Sequence, residues 1–68
     1  MNLINLKVNN LAYIKVINSN LKLRLMELGF IKGTLIKIIY KSKDYIVVDI
    51  RDYKIALNNN ICKDIEVI

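Results

Sequence analysis

The sequence predicts an all-β fold, a small β-barrel with one short α-helix inserted after the first strand. Three observations predict it. Short runs rich in Ile and Val alternate apolar and polar residues, the signature of half-buried strands. The breaks between these runs are compact and polar. One stretch, Leu21 to Gly33, switches instead to helical spacing and closes on two glycines.

The elements follow in order. A short lead carrying Leu3 and Leu6 ends at the turn-prone pair Asn9-Asn10, and Asn tolerates the left-handed region. Leu11 to Ile17 has the β-branched content of a first strand, with Ala12, Ile14 and Val16 sharing one face. Asn18, Ser19 and Asn20 each offer an oxygen to the free N–H groups of a helix's first turn. Leu21, Leu25 and Leu28 then fall at i, i+4 and i+7, one face of a helix of about two turns. Gly29 supplies the left-handed residue that ends such a helix, and Phe30 packs back on its last turn. Gly33 stands where a tight turn needs a residue without Cβ, so the two glycines define a rigid corner.

Thr34 to Lys41 alternates again, with Ile36, Ile38 and Tyr40 on one side and Lys37 and Lys41 on the other. Ser42-Lys43-Asp44 breaks the run. Tyr45 to Arg51 places Ile46, Val48 and Ile50 inward, and the two runs form a hairpin. After a turn at Asp52 comes a strand from Tyr53 to Leu57. Asn58-Asn59-Asn60 offers caps for a one-turn helix through Ile61, Cys62 and Lys63, and Ile65 to Ile68 is the last strand. Five strands joined by short turns fit an SH3-like barrel, because closure removes edges that would otherwise pair with other chains.

Composition narrows function. At 68 residues the chain has room for one domain, residues 1–68, and its 13 isoleucines are ample for a core. Cys62 is alone and histidine is absent, so a disulfide, a structural zinc site and an imidazole-based triad are all out of reach. The expectation is a non-enzyme with no catalytic residues, no metal ligands and no cofactor. No run approaches the roughly 18 apolar residues of a membrane span, and the start lacks the pattern of a secretory signal. A cytoplasmic location is expected. The net charge of +5 permits nucleic acid, an anionic membrane face or an acidic protein surface as partner.

Leu23 and Met26 lie off the helix's main apolar stripe, which makes them candidates for exposed contacts, and methionine adapts well to partner surfaces. Arg24 is spaced to pair with Glu27, three residues on, as a solvated helix pair, or alternatively to dock on an acidic partner. The candidate partner-binding residues are therefore Leu23, Arg24, Met26, Glu27, Phe30 and Lys32, with Gly29 and Gly33 as structural turns. Lys37, Lys41, Lys43 and Lys54 take the outward strand positions expected of any soluble barrel. Tyr13, Tyr40, Tyr45 and Tyr53 cluster with basic residues on no single strand, so nucleic acid is not the expected partner. Self-association is left open.

Arg24-Leu25, Glu27-Leu28-Gly29-Phe30, Gly33-Thr34, Tyr53-Lys-Ile-Ala-Leu57 and the closing Ile65-Glu-Val67 resemble the FeoA family, ferrous iron transport protein A. The resemblance runs from Leu3 to Val67. It implies a small cytoplasmic SH3-like barrel that contacts the cytoplasmic part of the ferrous iron permease FeoB, reaches the membrane only through it, and affects transport. It also places Cys62 at a core position where the family has alanine. Two departures stand out: Asn9-Asn10 where the family often has glycine, and a Ser42–Asp44 loop without the Gly-Asp-Pro-like tip. Two alternatives remain. One is a metal-responsive module like that of iron-dependent repressors, whose DNA-binding and dimerisation regions have no counterpart here. The other is a small basic barrel that binds nucleic acid.

Overall fold

Leu3–Asn5 opens the chain as a single 3-10 turn, and the alternating runs become five strands: β1 (Leu11–Ile17), β2 (Leu35–Lys41), β3 (Tyr45–Ile50), β4 (Tyr53–Asn58) and β5 (Ile65–Val67). The computed structural model describes residues 1–68. Helix α1 (Lys22–Glu27) stands between β1 and β2, and the one-turn helix α2 (Asn59–Cys62) between β4 and β5. Every pairing is antiparallel and the sheet order is β4-β3-β2-β1-β5. Principal extents of 25, 22 and 21 Å are nearly equal, whereas a flat sheet layer is about 10 Å thick. The sheet is therefore rolled around its own core as an SH3-like barrel, and α2 links its two end strands.

Sixteen apolar residues form that core, with no buried polar or charged residue among them. Ile36 and Ile38 from β2, Ile46, Val48 and Ile50 from β3, and Ile14, Ile65 and Val67 meet inside it. Leu3, Leu6, Leu57 and Cys62 belong to the same core. The outer edge of β5 is covered by the start of the chain: the Val67 N–H donates to Met1 O (2.7 Å), and Asn2 bridges to Glu66.

The turns follow side-chain chemistry. Asn9 takes φ 72°, as its tolerance of the left-handed region allows. Arg51 and Asp52 have φ 47° and 70° between the paired residues Ile50 and Tyr53, the primed turn whose twist matches two antiparallel strands. Ser42 Oγ accepts from the N–H groups of Asp44 and Tyr45. The short Ser42–Asp44 loop is then tied to α2, because Asn59 donates its Nδ2 to Lys43 O (2.7 Å) and its N–H to Asp44 O (3.0 Å). Asn58 caps α2 by accepting from the Ile61 N–H at 2.9 Å.

Two strand faces differ from the expected alternation. A bulge in the β1–β5 ladder between Ile14 and Val16 turns Val16 outward and buries Ile17 in its place. A second bulge, between Ile38 and Tyr40 in the β2–β3 ladder, exposes Tyr40 and swings Lys41 inward. Lys41 Nζ there donates to Ile4 O at 2.9 Å and Leu6 O at 2.8 Å. An extra residue in one strand reverses side-chain parity beyond it, and this accounts for both corrections.

Cys62 is fully buried, with Sγ 3.7 Å from Leu57 O. Burial pushes its thiol up to about 11, against a partial downward pull from Lys41. Unfolding returns the thiol to its ordinary value of 9.0. Between those values the folded chain holds a proton that the unfolded chain has released, so this stability is complete below about pH 9 and is lost as pH rises towards 11. Urea midpoints are expected to fall across that window more steeply for the wild type than for Cys62→Ala. Equal slopes would show that the thiol contributes nothing.

Candidate functional site

Helix α1 is held at both ends. None of the three expected caps holds the N-cap position, which falls to Leu21 without a side-chain cap; Ser19 instead closes the turn before the helix, its Oγ accepting from the Leu21 N–H (3.0 Å) and its carbonyl from the Lys22 N–H (3.1 Å). At the other end the Phe30 N–H donates to Leu25 O (2.9 Å) and the Gly29 N–H to Met26 O (3.0 Å). These two bonds make the Schellman motif, which needs a left-handed residue at the position Gly29 fills with φ 108°. A Cβ at Gly29 would also lie 3.1 Å from Arg51 Cδ.

The chain then makes a β-turn from Ile31 to Thr34, closed by the Thr34 N–H to Ile31 O (2.9 Å), with Gly33 at φ 89°. Gly33 has open space around it, so only its backbone angle calls for glycine. Its N–H donates to Ile14 O, and the Ile14 N–H donates to Thr34 O. The corner is stitched to β1.

Only Leu25 of the expected stripe enters the core. Leu21 and Leu28 are 44% and 43% exposed, because the six-residue helix ends before either of them and both sit in its caps. Phe30, expected among the partner-binding residues, has no exposed surface and is a core residue. The Schellman turn brings it back against Leu25, which is why it is inside.

The remaining candidates divide between two sides of α1. Met26 and Lys32, with Phe30 behind them, line a groove of about 260 Å³ whose other walls are Ile14 to Ile17, Lys22 and Ile31. Leu23, Arg24 and Glu27 line a shallower hollow of about 640 Å³ with Asn20, Leu21 and Leu28. Leu28 and Glu27 also adjoin Tyr53, Lys54 and Ile55 of β4. Sequence reasoning missed Lys15, Val16, Lys22 and Ile31 as groove residues. The β1 bulge that exposes Val16 has no marker in a run of β-branched residues, although Ile31 beside Lys32 in a glycine-closed turn was a readable sign of exposure.

No group of three or more His, Cys, Asp or Glu side chains is placed to hold a metal ion, and no helix is long and apolar enough to cross a membrane. Fold and site together define a small SH3-like module whose distinguishing features are surfaces around one pinned helix. The chain belongs to the FeoA domain family, whose model matches residues 1–68. No curated protein matches it in sequence.

Three solved structures are similar over nearly the whole chain. The FeoA protein of Chlorobium tepidum is 25% identical, with a TM-score of 0.90 over 98% of this chain and 68% of that one. A FeoA-like protein of Clostridium acetobutylicum is 26% identical, with a TM-score of 0.89 over 100% and 84%. The FeoA of Stenotrophomonas maltophilia, solved with zinc and described as a prokaryotic SH3 domain protein suggested to activate ferrous iron transport, is 25% identical, with a TM-score of 0.88 over 100% and 89%.

Proposed function

We propose that this FeoA-family chain is a non-enzymatic, cytoplasmic accessory of ferrous iron uptake that docks on the cytoplasmic part of a FeoB-type permease and modulates transport. The observation that carries the reading is the α1 surface. Leu23 is 77% and Met26 38% exposed, on a helix whose two ends are fixed by side-chain and backbone hydrogen bonds. A pre-ordered apolar surface loses little freedom on binding, and exposed apolar patches mark interaction sites. Arg24 and Glu27 supply charged groups beside Leu23, and Lys32 does so beside Met26. Family membership supports iron transport as the pathway.

Titrating the permease's cytoplasmic domain into the wild type and into Met26→Asp tests the reading. Met26 lies outside the buried core, so the variant is expected to keep its thermal midpoint while its affinity falls about tenfold or more, the scale seen when an apolar anchor is removed from the centre of an interface. Failure of the wild type to bind at any salt concentration would overturn the proposal. An unchanged affinity in Met26→Asp would remove α1 as the docking face.

A further inference from the structure

The concavities of the surface differ in charge. The hollow beside Leu23 carries one base and one acid, Arg24 and Glu27. The depression on β4 pairs Glu27 with Lys54, and the one on β2 balances Lys37 and Arg51 with Asp49 and Asp52. The groove between β1 and α1 is unlike these: Lys15, Lys22 and Lys32 line it with no acidic residue, together with the apolar Val16, Met26 and Ile31. All six side chains are exposed.

The geometry points to an acidic amphipathic peptide segment of a protein partner as the occupant of this groove, its apolar side chains on Val16, Met26 and Ile31 and its carboxylates against the three lysines. Under the proposed permease role, on which this inference rests, the segment belongs to the permease's cytoplasmic part. Charge complementarity selects this occupant, since three like charges with no acid among the lining residues favour a partner of opposite sign. A second copy brings the same net charge of +5. Single-stranded nucleic acid stacks on aromatic platforms, and the groove's one aromatic residue, Phe30, is buried. A flat anionic membrane leaves a concave groove uncovered.

The test has two arms. In the first, the 15N-labelled chain is titrated with a synthetic peptide of repeating Glu-Glu-Leu-Leu. Saturable amide shifts are expected at Lys15, Val16, Lys22, Met26, Ile31 and Lys32, weakening as salt rises. Equal binding of the Lys-Lys-Leu-Leu peptide, shifts centred elsewhere, or no shifts would overturn the inference. So would the same shifts at lower concentration with oligothymidylate or anionic vesicles, or on concentrating the chain alone.

In the second arm, the permease domain is bound to a groove variant, Lys15→Glu with Lys22→Glu and Lys32→Glu. An equally charged control carries Lys7→Glu, Lys43→Glu and Lys63→Glu. The groove variant is expected to lose about tenfold or more in affinity, and the control far less, as exposed charges at a distance are screened. Equal losses, or none in the groove variant, would overturn the inference and leave the permease reading standing. A wild type that binds the acidic peptide in the groove but not the permease domain would do the reverse.

Discussion

Phe30→Ala is expected to leave little folded protein. Phe30 is the largest fully buried side chain, and emptying such a site costs about 3–5 kcal/mol in lost transfer free energy and in the cavity left behind. A two-state domain of this length has only about 3–10 kcal/mol in total. The damage is also directed. Phe30 and Leu25 are the apolar pair that the Schellman turn brings together, and Leu25 is the only residue α1 contributes to the core. Removing the ring detaches the helix as well as hollowing the barrel, so both sides of α1 lose their shape. Urea unfolding followed by circular dichroism is expected to show Phe30→Ala largely unfolded without denaturant, with Phe30→Leu intermediate. Leu23→Ala, at a site 77% exposed, is expected to match the wild type. A Phe30→Ala midpoint close to wild type would mean that the corner does not hold the helix.

Lys41→Met should release the lead segment while leaving most of the sheet in place. The lysine reaches across to the end of the 3-10 turn and donates to Ile4 O and Leu6 O, where free carbonyls carry partial negative charge. Methionine keeps the length of the stem but offers no donor. Hydrogen bonds from a charged group contribute about 1.5–3 kcal/mol each at most sites, and the half-buried setting puts the expected loss for the pair at about 2–3 kcal/mol. Hydrogen exchange separates this local effect from global weakening. The Leu6 N–H, bonded to Leu3 O, and the Val67 N–H, bonded to Met1 O, are expected to exchange faster by a larger factor than the amides of β3. Uniform acceleration would make Lys41 a general stabiliser, and no change would show that water replaces it at no cost.

The strands, both turns around β3 and the two helices were legible because each rests on short-range chemistry. Alternation marked β3, asparagine marked the cap of α2, and Gly29 and Gly33 marked the two positive angles of the corner. What escaped was parity. In Val16-Ile17 two β-branched residues stand side by side and either can face the core, and beyond Ile38, buried as expected, the sides taken by Tyr40 and Lys41 depend on a bulge; bulges are set by how neighbouring strands fit. The same limit shaped the candidate surface. A stripe at i, i+4 and i+7 presumes a helix long enough to carry it, and α1 ends first. Leu21 and Leu28 thereby moved out of the core while Phe30 moved in, and Val16, which sequence spacing had placed on the face of Ala12 and Ile14, joined Lys15, Met26 and Lys32 at the groove.

The bond between Val67 and Met1 has a meaning for the order in which the barrel assembles. Its two residues lie far apart in sequence, and β5 must insert between the Met1–Asn2 segment and β1 before either is paired on that side. Closing so long a loop comes late because its entropy is lost before the pairing rewards it. A chain in which β5 has not yet docked is therefore expected to expose Leu3 and Ile14 to chaperones and proteases, and the docking of that strand converts a degradable intermediate into a finished barrel.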